Sequence, residues 1–299
     1  ISRFVNDNSF LPNIAELRKN VEKVAVVNNI PYSFSEQYFK NYPAVNTGSK
    51  IYLLKSKIDY LNRLQKESER EKLIADIQAE VSDIWVNGNF SIEDEKKFLS
   101  DYQDKLNQID HAKRIDRLLW EEKIDDAIRI IDLVDEDYHK LFSAIIEISK
   151  NPNYIDNIIL SIPRKLRGNE GLYYRRILFY KAKDQIDNVI DLMAKISGKT
   201  DHPDKWWSLR KLYGREMLKT KNYKVSYALF SNHGLKSGSS DFADAEWSAG
   251  WVALRILNEP RIANQHFKNL YFNVSYPVSI SRAAYWMAMS YQAMKDNNK

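Results

Sequence analysis

The sequence predicts an all-α fold: an α-superhelical solenoid of stacked helical hairpins. Three observations predict it. Apolar residues recur three and four apart along most of the chain, the period of a helix that buries one face. Only 9 Gly and 8 Pro stand among 299 residues, too little punctuation for the many turns of an all-β fold. Starts of helix pairs fall near Asp135, Glu170, Asp204, Asp241 and Ser279, about 35 to 38 residues apart, a length at which one hairpin cannot bury its own stripe and stacks on its neighbours.

In chain order, residues 1–48 carry Pro12, Pro31, Pro43 and Gly48 and read as an irregular amino-terminal lead packed on the solenoid. One helix is expected from about Asn13 to Asn28, and Ser33-x-x-Glu36 has the form of a reciprocal helix cap. The superhelical domain then runs over 49–299. From Ser49 to about Val86 the seam Ile51, Leu54, Ile58, Leu61, Leu64, Leu73, Ile77, Val81 and Ile84 predicts one long helix, or two nearly collinear ones. The charge run Lys66 to Lys72 inside it reads as a solvated helix face. After the turn Asn87-Gly88-Asn89, Ser91 and the acids Glu93 and Asp94 open the next helix, where negative charge is favoured.

The hairpins follow. Leu118 to Trp120 precede Ile124 to Ile131, and Leu141, Ala144, Ile145 and Ile148 precede a break at Asn151-Pro152. Leu172, Ile177 and Tyr180 precede Ile186, Val189, Ile190 and Met193, and Trp206-Trp207 lead through Gly214 and Met217 to Tyr223, Tyr227 and Phe230. The clearest unit spans Asp241 to Met294: a helix striped by Ala243, Trp247, Gly250, Trp251, Leu254 and Leu257, a turn at Asn258-Glu259-Pro260, a second helix with Ala263, Phe267 and Leu270, and a third beyond Pro277. Asn tolerates a left-handed stop and Pro suits a first helical turn. The spacing is tetratricopeptide-like, except that the eighth position, which in that pattern is Gly, holds Trp251.

Charged residues make up 28% and aromatics 12%, the composition of a folded chain and not of a disordered tail. No apolar run reaches the eighteen or so residues of a membrane span. With no Cys, disulfides, thiolate metal sites and Cys nucleophiles are excluded, and an oxidising compartment is compatible. The chain begins at Ile1 and not Met, as a processed or trimmed product would, so the lack of a targeting segment says nothing of the compartment. The histidines His111, His139, His202, His233 and His266 form no i,i+4 pair and no H-E-x-x-H, which leaves no metal or cofactor to assign. The phosphate-cradling glycine loops and the serine elbow are missing too. Tyr173-Tyr174-Arg175-Arg176 and Trp206-Trp207-x-x-Arg210-Lys211 could stack on a polymer; the simpler expectation is aromatics packed between helices with Arg and Lys outside. A net charge of +5 from 45 bases and 40 acids argues against a nucleic-acid partner.

Several blocks, in order over roughly residues 90–299, resemble the soluble lytic murein transglycosylases. They are Asp110-His111-Ala112-x-Arg114-x-Asp116-Arg117-Leu118-Leu119-Trp120, Tyr223-x-x-x-Tyr227 with Ser231-Asn232-His233-Gly234-Leu235, Phe242 to Trp247 with Ala249-Gly250-Trp251 and Ala253-Leu254-Arg255, His266-Phe267-x-x-Leu270-Tyr271, Pro277-x-Ser279, and Arg282-x-Ala284-Tyr285-Trp286. The resemblance implies a periplasmic enzyme built as a ring or horseshoe of hairpins, followed by a linker and a lysozyme-like catalytic domain. That family cleaves the β-1,4 bond between N-acetylmuramic acid and N-acetylglucosamine, leaving a 1,6-anhydromuramoyl end, with a Glu in a Glu-Ser pair ahead of Gly-Leu-Met-Gln. Here the one Glu-Ser is Glu67-Ser68, inside the charged run, and Gly-Leu-Met-Gln does not occur. The expectation is therefore a non-catalytic scaffold without the lysozyme-like domain, whose partners are peptidoglycan glycan strands, that catalytic domain and other cell-wall proteins. No catalytic, metal or glycan-binding residue is assigned; Arg255, Arg282 and His233 are expected to tie one hairpin to the next. A tetratricopeptide-like protein-binding module and, behind it, a nucleic-acid-binding solenoid are the rival readings.

Overall fold

The computed structural model describes residues 4, 5, 8, 10–28 and 38–294. These are mostly helical, with no strand among them, and the helices pack in neighbouring pairs. In order they are α1 (Ile14–Val27), α2 (Thr47–Leu61), α3 (Glu67–Asn87), α4 (Ile92–Tyr102), α5 (Gln108–Trp120), α6 (Ile124–Arg129), α7 (Glu136–Ser149), α8 (Asp156–Ser161), α9 (Glu170–Ala182), α10 (Ile186–Met193), α11 (Pro203–Lys219), α12 (Tyr223–Ser231), α13 (Ser240–Arg255), α14 (Pro260–Phe272) and α15 (Pro277–Ala293). The chain divides into two compact units, Ile1–Arg167 and Gly168–Lys299.

In the first unit α1 forms where the sequence predicts it, while the Ser33 and Glu36 cap lies outside the described residues. Glu22 on α1 is buried, and its carboxylate accepts hydrogen bonds from the backbone N–H of Val45 at 3.0 Å and from the Asn46 side chain at 2.6 Å, which fixes the start of α2. The expected long helix over 49–86 is instead a hairpin. The chain leaves α2 after Leu61 and reverses. Lys50 reaches Asp83 at 3.0 Å and Lys57 reaches Glu80 at 2.6 Å, so residue numbers rise on one helix as they fall on the other. Burial is the physical reason: folded back, Leu54 faces inward together with Val81 and Ile84, all fully buried, whereas a straight helix would leave that seam in water. Arg70 secures the reversal by donating to the carbonyl of Leu61, an acceptor without an intrahelical partner at the end of α2, and to that of Leu64 in the turn. The charged run 66–72 is exposed apart from Arg70, which is half-buried over this turn, and is paired locally, Lys66 with Glu69 at 2.7 Å.

Side-chain caps mark the helix starts that the sequence announces. Ser91, Asn107, Asp135, Asn169 and Ser239 each accept from a backbone N–H of the helix they open. The helices begin at Glu136, Glu170, Pro203, Ser240 and Pro277, each within two residues of the expected position.

One geometric device recurs at the hairpin turns. Glu122, Asp184, Lys221 and Asn258 all have positive φ, between 54° and 62°. In each case the second helix begins two residues later, at Ile124, Ile186, Tyr223 and Pro260. Around the first three, the next residue's N–H returns to a carbonyl five residues back, Lys123 to Leu118, Gln185 to Tyr180 and Asn222 to Met217, the double-bonded stop that uses one left-handed residue. Asn151 is also left-handed, φ 53°, but α8 starts later, at Asp156. A second device repeats within the second unit. Gly214 on α11 meets the ring of Phe230 on α12, and Gly250 on α13 meets Phe267 on α14, so closely that a Cβ would lie 2.5 and 2.6 Å from the respective ring. The small residue the hairpin needs is thus Gly250, one position before Trp251.

Candidate functional site

The side chains most tightly organised by polar contacts surround Glu246. On α13 it stands four residues after Phe242 and three before Ala249, on the buried stripe, and only 4% of it is exposed. A carboxylate there is costly unless every lone pair is used. Both oxygens are bonded: His266 lies 2.7 Å from one through Nδ1, while His233 through Nε2 at 3.1 Å and Asn269 Nδ2 at 2.5 Å meet the other. The outer nitrogens fix the tautomers. Leu235 N–H donates to His233 Nδ1 at 3.0 Å, so His233 carries its proton on Nε2 and donates to Glu246. Tyr227 stands 3.1 Å from His266 Nε2, so its hydroxyl donates there and His266 donates from Nδ1. Burial alone would raise the Glu246 carboxyl, but the hydrogen bonds from His233 and His266 outweigh it and hold the group down at about 2.

This arrangement joins α12, the loop after it, α13 and α14. An acid held that low, with its oxygens already bonded to three donors, is a poor proton carrier at neutral pH, so its chemistry is that of a rivet between hairpins. Among the described residues no group of His, Cys, Asp or Glu is arranged to hold a metal.

The residues singled out by sequence distribute unevenly around it. His233 does tie a hairpin loop to the next helix, as expected. Arg282 does not do so by hydrogen bonding; its guanidinium lies 5.2 Å from the Trp247 ring centroid and its Nε is buried without a hydrogen-bond partner. Arg255 is exposed. Trp206 and Trp207 are buried as packing residues, Trp206 donating its Nε1–H to Glu170 at 2.5 Å. The expectation that their basic neighbours lie outside fails for Arg210 and Arg175, both buried. Arg210 donates to the carbonyls of Ile196 and Ser197, each at 3.0 Å, and to that of Asn232. Those loop carbonyls face inward and need donors, which a fork of guanidinium N–H groups supplies; burial lowers the Arg210 guanidinium to about 10. Glu67 is a surface residue, its side chain 79% exposed at the start of α3.

The first unit has its own buried cation. Arg114 on α5 donates to the carbonyls of Trp85 at 2.6 Å and Gly88 at 2.9 Å and to Glu95 at 2.8 Å, and lies over the rings of Trp85 and Phe90. Glu95 is shared with Arg129 at 2.6 Å. The end of α3 is thereby closed by positive charge, the favourable sign at a helix C-terminus.

The sequence carries one signal for Glu246: a lone acid on an otherwise apolar stripe needs partners, and two of the five histidines lie in neighbouring elements. A second feature, the groove beside the start of α15, could not be found that way, because its walls come from the α14–α15 loop, α13 and α15. It encloses about 450 Å³ and includes Ala243, Asp244, Val274, Tyr276, Val278 and Arg282.

No family model, no curated protein and no solved structure matches this chain.

Proposed function

We propose that this chain is the non-catalytic superhelical scaffold portion of a periplasmic peptidoglycan lytic transglycosylase, one that positions glycan strands or restricts their access to a catalytic domain. The observation that carries the reading is where the resembling blocks fall in the fold. Tyr227, His233, Glu246 and His266 come from three separate blocks and meet in one buried network. Residues that matter to such a stack are those that set the angle between hairpins, and these do. Recurrence of the left-handed turn and of the glycine-on-phenylalanine contact further supports a solenoid of repeated, tetratricopeptide-like units. Hairpins so riveted keep their relative orientation within the second unit, which is what a scaffold for a stiff polymer requires. No helix in the described residues is long and apolar enough to cross a membrane, and the reading needs none.

Sedimentation with purified sacculi tests the proposal, followed by mass spectrometry of the soluble products. The chain is expected to pellet with sacculi and to release no anhydromuropeptides. Failure to pellet overturns the scaffold role, and release of anhydromuropeptides overturns the lack of activity. A protein-binding module is the second reading, favoured by the exposed Phe272, Tyr276, Val278 and Tyr285 near α15; capture of a specific protein partner with no retention on sacculi would select it.

A further inference from the structure

The groove at the start of α15 holds a charge without a counterpart. Arg282 has no hydrogen-bond or ion-pair partner among the described residues, and its Nε is enclosed. Stacking on Trp247 keeps the guanidinium in place. Asp244, the acid in the lining, is taken by Lys211 at 2.7 Å and is not left over for Arg282. The lining also has an apolar part, Val274, Tyr276 and Val278, the last two 65% and 80% exposed, with Val278 one helical turn before Arg282 on α15. The first turn of α15 forms part of the lining, and no side chain caps its free amides, which adds to the positive potential.

An unpaired guanidinium beside a small apolar wall complements a carboxylate borne on a short aliphatic residue. A neutral sugar would leave the cation without a counter-charge. We propose that this groove binds the terminal carboxylate of peptidoglycan stem peptides, Arg282 pairing with the carboxylate while Tyr276 and Val278 cover the alanine methyl group. The proposal rests on the peptidoglycan reading above and deepens it: the scaffold would hold the peptide as well as the sugar strand. A space of about 450 Å³ admits the end of such a peptide and not a glycan chain.

Calorimetric titration of the full chain with a synthetic stem tetrapeptide ending in D-alanine tests this, using the C-terminal acid and the C-terminal amide. Binding of the acid is expected, with affinity reduced about tenfold or more by amidation and by Arg282→Gln, as loss of a charge-assisted contact predicts. Arg282→Lys should retain part of it. Val278→Asp, at an exposed position that folding does not depend on, should weaken the acid through repulsion. Equal binding of acid and amide, or no binding of either, overturns the inference. Glycan strands stripped of peptide by an amidase and immobilised separate the two ideas. A chain retained on bare glycan yet indifferent to the tetrapeptide loses this inference and keeps the scaffold role; one that ignores both loses both.

Discussion

Replacing Glu246 by Gln removes the charge at the centre of the network while keeping its shape. Each of the three donors aimed at the carboxylate then meets an amide that can accept on one side only, and the amide's own N–H groups face histidine N–H. The carboxyl is lowered from its ordinary 4.5 to about 2, which corresponds to about 3 kcal/mol of stability at neutral pH. The sign follows from the direction: a depressed acid stabilises the fold fully above its ordinary value, and the contribution is lost as pH falls through the folded value. The window is therefore 4.5 down to about 2. Hydrogen exchange of α13 and α14 amides in graded urea reads the second unit by itself. E246Q is expected to lower its opening free energy by about 3 kcal/mol at pH 7, and the gap to wild type should shrink to under half by pH 3. A gap below about 1 kcal/mol at pH 7, or one that does not change between pH 7 and pH 3, would refute the assignment of Glu246 as an ionised rivet.

Three further outcomes are expected. Gly250→Ala gains about 1 kcal/mol of helix propensity but drives a methyl into the fully buried Phe267, an overpacking cost of about 1 to 3 kcal/mol, so urea unfolding should show net loss, and Gly214→Ala should match it through Phe230. Arg210→Met leaves the Ser197 and Asn232 carbonyls without the guanidinium donor, while Ile196 keeps the Asn232 amide, and should cost about 2 to 3 kcal/mol in the same assay. Lys221→Gly relieves left-handed backbone at a turn, φ 62°, and should raise stability by up to about 1 kcal/mol.

Sequence alone determined the helical class and most helix starts, because both are local: the period of apolar residues and first-turn signals suffice, as at Ser91 and near Asp135, Glu170 and Asp241. It also marked the turn at Asn258, whose side chain tolerates left-handed backbone. The equivalent turns at Glu122 and Lys221 were not legible, since nothing in Glu or Lys favours positive φ; the stacking of the two helices imposes it. Nor could periodicity distinguish one long α2–α3 helix from a hairpin, for the same stripe serves both, and only the burial of Leu54 with Val81 and Ile84 decides. The buried polar residues are the least legible in sequence. Glu246, Arg210 and Arg114 find their partners 13 to 29 residues away in sequence, on elements whose juxtaposition exists only after the hairpins have packed, and whether such a group is a solvated charge, a rivet or an open binding site is decided by that packing.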